Sequence, residues 1–215
     1  MQTKSPSANL SESTIQRALG EFGLVVSSEQ VLKIQQYIRI LLAWNEKVNV
    51  TAIQDPLEIL NRHFCESMFG SKYLPVENCR LADVGSGGGF PGLPIKILRP
   101  DVHLFLIESN FKKATFLAEV LRELETENAR VLVSRYEELG EEIAPLDVAC
   151  SRALGEFQKF LEWADSPAVA CPQVMFWVGA RDLDEIRANK LWKWDEPVPV
   201  PNSLRRYLLI GRRAK

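Results

Sequence analysis

The sequence predicts an α/β protein: a mostly parallel sheet covered by helices on both faces, finished by an antiparallel strand and preceded by a helical segment. Three observations carry this. From residue 79 onward, short apolar runs alternate with amphipathic stretches, the rhythm of strand–helix–strand units. One run, Leu81-Ala82-Asp83-Val84, passes into the glycine loop Gly85-Ser86-Gly87-Gly88-Gly89-Phe90-Pro91-Gly92, as in a β-to-α turn built to approach a ligand. The last two extended runs, Trp192 to Val198 and Arg206 to Gly211, are joined by a short connection containing Pro199, Pro201, Asn202 and Ser203. It is too short for a parallel crossover, so the final strand is expected to be antiparallel.

Element by element, residues 1–10 are polar, with Ser5, Pro6 and Ser7, and are expected to be disordered. Ser11 or Ser13 caps a first helix that turns Ile15, Leu19 and Phe22 to one face and ends near Gly23. Ser27 and Gln30 form a capping-box pattern before a longer helix in which Val31, Ile34, Ile38, Leu41 and Leu42 recur at helical spacing. A third helix opens at Asp55-Pro56-Leu57-Glu58, with Asp55 as cap, Pro56 in the first turn and Glu58 closing the box. Strands are then expected near 80–84, 102–108, 130–134, 146–151 and 174–178, with helices near 91–98, 110–125, 155–165 and 182–189. This divides the chain into a helical segment, residues 1–78, packed on a core of residues 79–215.

With 215 residues, 46% of them apolar, the chain can bury a substantial core. Its four cysteines form no C-x-x-C pair and there are only two histidines, which argues against a disulfide framework and a Cys/His metal site. No signal sequence or long apolar run is apparent, so the cytoplasm is the expected compartment, with no membrane partner and a monomeric state. A net charge of −2 is not that of a strongly basic nucleic-acid binder. Arg205, Arg206, Arg212, Arg213 and Lys215 nevertheless crowd the last eleven residues, and one basic face is enough to meet phosphates.

The glycine loop is compatible with two cofactor classes. Gly87 to Gly92 satisfies the G-x-G-x-x-G pattern of a dinucleotide site, a weak match on its own. Asp83, two residues before the first glycine, tips the balance: a carboxylate there repels a pyrophosphate but tolerates a zwitterionic amino acid, as in the D-x-G-x-G-x-G loop of S-adenosylmethionine-dependent methyltransferases. Glu108 ends the next strand about 20 residues beyond the loop, where an acid accepts hydrogen bonds from ribose hydroxyls.

The resemblance becomes specific over about residues 30–180. Trp44-Asn45-Glu46-Lys47-Val48-Asn49-Val50-Thr51, Asp55-Pro56, Arg62-His63, the loop from Asp83 to Gly92, Glu108-Ser109 with Lys112-Lys113, Phe116-Leu117, Ser134-Arg135-Tyr136-Glu137 and Ser151-Arg152-Ala153 follow in the order of the bacterial RsmG (GidB) family, which the chain resembles. That resemblance implies a Rossmann-like class I methyltransferase fold with seven strands, S-adenosylmethionine as cofactor, and methyl transfer to N7 of a guanine in small-subunit (16S) ribosomal RNA, free or in the assembling 30S subunit. Three departures stand out: Phe176-Trp177-Val178-Gly179 lacks a lysine common before that glycine, Glu66 replaces a common aspartate, and Val50 a common leucine.

Cofactor contacts are expected from Gly85, Gly87, Gly89, Phe90, Glu108, Ser109, Tyr136, Glu137 and Arg152, and RNA contacts from Trp44, Lys47, Asn49, His63, Arg135, Arg205 and Arg206, with Asn49, His63 and Glu66 candidates for reading the base or ordering the helical cap. Each has a plainer alternative: core packing for Phe90 and Trp44, a loop cap for Tyr136 and Glu137, a structural histidine for His63, and a buried ion pair with Asp147 or Glu156 for Arg152. Guanine N7 loses no proton on methylation, so no general base is expected, nor any metal. A methyltransferase for a small molecule or protein, and a noncatalytic cofactor-binding module, remain the competing readings.

Overall fold

The computed structural model describes residues 10–152 and 155–214. The expected disorder of residues 1–10 therefore lies, Leu10 apart, outside the described residues, as do Ala153 and Lys215.

Five strands, β1 (Arg80–Val84), β2 (His103–Ile107), β3 (Ala129–Leu132), β4 (Val148–Arg152) and β5 (Gln173–Gly179), run parallel, followed by β6 (Trp192–Trp194), β7 (Val198–Pro199) and β8 (Arg206–Arg213). The order is β3-β2-β1-β4-β5-β8-β6, with β8 antiparallel to its neighbours and β7 a two-residue addition on β8. The run expected from Trp192 to Val198 is thus two strands. Pro197 lies in the break, and a proline has no N–H to give a ladder.

Helices α1 (Glu12–Glu21) and α2 (Ser28–Asn45) begin at the expected caps: Ser11 Oγ accepts from the Thr14 N–H, and Ser27 and Gln30 close a full capping box. The third helix is less regular. It begins as α3 (Pro56–Ile59), widens into a π turn over Leu60–Cys65, resumes as α4 (Glu66–Phe69) and tightens to a 3₁₀ turn over Gly70–Tyr73. Asp55 caps it through the Glu58 N–H at 2.8 Å. The Glu58 carboxylate does not close a box; it pairs instead with Arg62 one turn on, 2.9 Å away. The remaining helices are α5 (Gly92–Leu98), α6 (Phe111–Glu123), α7 (Phe157–Asp165) and α8 (Leu183–Arg187).

Period-two alternation sorts the strands' side chains into two cores. Leu81, Leu104, Leu106, Met175 and Trp177 face one that also holds Ile34, Ile38, Phe64, Leu93 and Phe116, while Ala82, Phe105, Val174 and Phe176 face another built on Phe160 and Leu161. Helix α2 packs on α5 and α6, its Gln30 donating to the Ile97 and Leu98 carbonyls at the end of α5, so the N-terminal helices share the first core. The strand order reverses between β1 and β4, and open α/β sheets hold ligands at that reversal, beyond the carboxyl ends of the strands.

Candidate functional site

The glycine loop stands at that reversal. Gly85, Gly87 and Gly89 take φ values of 69°, 55° and 80°, a region that side chains rarely enter. The Gly85 and Ser86 N–H groups both donate to the Ile107 carbonyl, which ties the loop to the end of β2. Asp83 is fully buried beneath it. Its Oδ2 accepts from the Gly92 N–H at 2.9 Å, fixing the first turn of α5, and burial pushes its carboxyl up to about 7. Glu108 reaches the same loop from β2, accepting from the Gly87 N–H at 2.9 Å and the Asn110 N–H at 2.7 Å. From the other side, Tyr37 of α2 donates its hydroxyl to the Gly88 carbonyl.

Beside the loop, Gly85, Ser109, Ser134, Arg135, Tyr136 and Glu137 line a cavity of about 220 Å³. Arg135 and Glu137 are exposed. The Tyr136 ring belongs to the second core, 5.3 Å edge-on from Trp163, with its hydroxyl buried and unpaired; burial pushes that hydroxyl up to about 12.

A charged cluster occupies the other flank. Arg152 ends β4 and Arg206 begins β8, and both turn to Glu66, the first residue of α4: Arg206 Nη2 lies 2.6 Å from Oε1 and Arg152 Nη2 3.7 Å from Oε2. Arg152 thus faces neither of its expected partners. The Asp147 carboxylate accepts from the Arg80 N–H, and Glu156 pairs with Lys159. Burial raises the Glu66 carboxyl against the opposing pull of Arg152 and Arg206. The Trp177 indole donates to the Glu66 carbonyl at 2.7 Å, anchoring its backbone.

The helical cap closes over the loop through His63, whose ring stacks on Phe90 with centroids 4.5 Å apart, while Tyr37 stacks on Phe90 at 5.6 Å. The His63 Nε2 lies 2.7 Å from Thr51 Oγ1, and burial, with Arg152, Arg62 and Arg206 nearby, lowers its pKa to about 3. Phe90 is therefore held in an aromatic stack of the cap. The Trp44 ring is half-buried and edge-on to Phe116, whereas Lys47 and Asn49 are exposed on the following loop. Asn45 shapes that loop: its side chain accepts from the Val50 and Thr51 N–H groups and donates to the Thr51 carbonyl.

The C-terminal arginines do not form one patch. Arg206 pairs in register with Gly179 at the carboxyl end of β5 and Arg212 with Gln173 at its start, so β8 carries them to opposite ends of the strands. Arg205 is exposed at the site edge; Arg212 pairs with Asp195 and Arg213 with Asp165. Tyr37 is a site-shaping residue not singled out from sequence, and Asn45 and Thr51 entered only as members of the motif from Trp44 to Thr51, with no role given them. The signal for Tyr37 was present, a hydroxyl-bearing ring within the apolar stripe of Ile34, Ile38 and Leu41.

These residues fit a cofactor bearing an ammonium and vicinal hydroxyls. Asp83 Oδ1 is a buried acceptor with no partner beneath the loop, and Glu108 stands at the end of the neighbouring strand. Among the described residues there is no cluster of metal-ligating side chains and no helix long and apolar enough to cross a membrane.

Strand order, loop and acid together define a Rossmann-like class I methyltransferase. In fold the chain is similar to a SAM dependent methyltransferase from Aquifex aeolicus (TM-score 0.61, 16% identity, covering 77% of this chain and 97% of that one) and to the 23S rRNA methyltransferase ErmE (TM-score 0.54, 13% identity, 69% and 67%). The family model described as GidB: rRNA small subunit methyltransferase G matches residues 30–195. Ribosomal RNA small subunit methyltransferase G of Pseudomonas putida (strain GB-1) is 32% identical over 197 residues, 90% of this chain and 91% of that protein. Its namesake in Dichelobacter nodosus (strain VCS1703A) is 37% identical over 152 residues, 71% of each. The chain belongs to the rRNA small subunit methyltransferase G (GidB) family.

Proposed function

We propose that the protein transfers a methyl group from S-adenosylmethionine to N7 of one guanine in 16S ribosomal RNA, acting as a cytoplasmic monomer on the RNA or the assembling small subunit. The observation that carries this, beside family membership, is how three ionisable groups around the loop, His63, Glu66 and Glu108, are held. His63 is kept neutral, Glu66 is held between two arginines, and Glu108 accepts from two backbone N–H groups. Such a site holds and aligns, and N7 asks for no more. Its lone pair would form the new C–N bond as the methyl–sulfur bond breaks and its electron pair leaves with the neutral thioether, S-adenosylhomocysteine; the positive charge ends in the purine, and no proton has to leave.

Bound at the loop, the cofactor supplies an electrophilic sulfonium methyl. Residues 79–215 would form its domain and residues 1–78 the cap. Gly85, Gly87 and Gly89 let the backbone approach the amino-acid portion, with Asp83 Oδ1 ready to accept from its ammonium. Glu108 would take the ribose hydroxyls, and Ser109, Tyr136 and Glu137 the base beyond, on the side of the 220 Å³ cavity. Phe90 and His63 exclude water from the loop's cap side. Arg152 stands between cofactor and substrate. Lys47, Asn49, Arg135 and Arg205 are exposed and would meet RNA, with Trp44 supporting the cap and Arg206 held on Glu66.

The near-neutral charge of −2 favours a second reading, a small-molecule or protein acceptor. Transfer of labelled methyl to a ribosomal fraction, with and without prior ribonuclease, separates the two. Ribonuclease-sensitive label supports the RNA reading, and resistant label the other.

A further inference from the structure

We infer that Glu66 reads the target base: one carboxylate oxygen is anchored by Arg206, the other is offered to the N1–H and 2-amino donors of guanine, and Arg152 donates to O6. The inference deepens the proposed function and rests on its guanine substrate.

Glu66 is 3% exposed, so bulk solvent does not reach its carboxylate. Oε1 has a strong partner in Arg206 at 2.6 Å. Oε2 has no hydrogen bond and meets Arg152 only at 3.7 Å, beyond hydrogen-bond reach. On the opposing side, Arg152 Nη1 and Arg206 Nε are buried without acceptors. An unsatisfied acceptor and unsatisfied donors therefore sit side by side, and buried polar groups in native proteins are rarely left so without a reason.

The pattern selects its ligand. A simple anion satisfies the arginines but is repelled by Glu66 Oε2, and a cation meets two guanidiniums. A planar group with an acceptor beside donors satisfies both sides, and that is the O6, N1–H, N2–H₂ edge of guanine. Adenine presents the reverse, an amino group toward Arg152 and a lone pair toward Glu66. Reading this edge leaves N7 without a hydrogen bond, as its lone pair requires.

Placement agrees. His63, three residues before Glu66, stacks on Phe90 of the glycine loop, and Arg152 ends the strand beside the one that leads into that loop. The π turn over Leu60–Cys65 ends at Glu66, and such turns occur frequently at functional sites. Arg62, the remaining charge on this turn, is occupied by Glu58. Glu66 Oε2 and Arg152 Nη1 are both buried, so base binding requires Arg152 to swing away from Glu66, while Arg206 keeps Glu66 in place.

The test uses small-subunit RNA carrying guanosine, inosine or adenosine at the target position, with wild type, Glu66→Gln and Glu66→Asp. Inosine keeps N1–H, O6 and N7 and lacks only the 2-amino group. Wild type should favour guanosine over inosine in kcat/KM by about tenfold or more and reject adenosine by at least about a thousandfold, as sites built to hydrogen-bond a substrate do. Glu66→Gln should lower transfer to guanosine about 100-fold and bring the guanosine/inosine ratio near one, with unchanged S-adenosylhomocysteine affinity. Glu66→Asp should keep the preference at reduced rate. If Glu66→Gln fails to fold, the wild-type and Glu66→Asp ratios still decide. Equal use of guanosine and inosine by wild type, or an undiminished ratio in Glu66→Gln, overturns the inference. A retained ratio with weakened S-adenosylhomocysteine binding also overturns it, and assigns the cluster to the cofactor carboxylate. Absence of label on guanosine RNA with wild type is a different result: it removes the proposed function, and this inference with it.

Discussion

Phe90 of the glycine loop stacks on His63 of the helical cap, ring centroids 4.5 Å apart and planes 19° from parallel. The contact joins the two parts of the chain at the site, and there burial, with Arg152, Arg62 and Arg206 nearby, keeps the imidazole neutral. That neutrality has a thermodynamic consequence.

His63 titrates at about 3 in the folded protein instead of near 6.5, so between those values the unfolded chain binds more protons. Stability from this group is lost as pH falls through that window. Asp83 works in the opposite sense: its carboxyl is raised from 3.8 to about 7, the folded state holds the extra proton, and stability is lost as pH rises through that range. Urea midpoints measured from pH 4 to 7 should therefore shift in opposite directions with the two substitutions. Relative to wild type, His63→Gln should gain stability toward acid, and Asp83→Asn toward neutral pH. Parallel shifts would contradict the assignment.

Gly89 and Gly87 separate backbone conformation from space. A Cβ on Gly89, at φ 80°, would lie 2.3 Å from the Tyr37 hydroxyl and 2.6 Å from Leu93, whereas one on Gly87 meets nothing closer than 3.8 Å. Gly89→Ala should cost about 2–4 kcal/mol in urea unfolding, backbone strain plus overpacking, and Gly87→Ala about 1 kcal/mol, strain alone.

Tyr37→Phe removes the hydroxyl that donates to the Gly88 carbonyl and leaves that acceptor buried. A loss of about 1–3 kcal/mol is expected. Because the bond holds the loop, S-adenosylhomocysteine affinity should fall with it in calorimetry; stability loss with intact affinity would confine Tyr37 to the core.

Arg152→Ala should lower kcat/KM for transfer about 100-fold, the scale for losing one positioned donor. Glu66 keeps its 2.6 Å bond to Arg206, so the Tm should fall by only a few degrees, about 2–4 °C for each kcal/mol lost in a chain of this size. A collapse of Tm matching the loss of activity would make the arginine structural.

Sheet, loop and Glu108 were legible because they rest on local chemistry: alternation, glycines where φ is positive, and an acid at a fixed interval. Helix starts were legible for the same reason, Ser11 and Ser27 being caps by side-chain type. The π turn was not, since Leu60–Cys65 reads as ordinary helix and only packing widens it. Nor was the Glu66–Arg152–Arg206 cluster, whose members come from α4, β4 and β8 and meet only through topology. The C-terminal arginines misled for a geometric reason: neighbours in sequence along an extended strand part at about 3.3 Å per residue, so Arg206 and Arg213 lie at opposite ends of β8.

The most direct measurement is transfer of labelled methyl from S-adenosylmethionine to small subunits from a strain lacking the N7 mark, with deproteinised RNA in parallel and the label mapped by reduction and aniline cleavage. Label at one aniline-sensitive guanine is the predicted result, and the parallel sample shows which form of the RNA is used. Label at no guanine, with cofactor binding confirmed, would contradict the account.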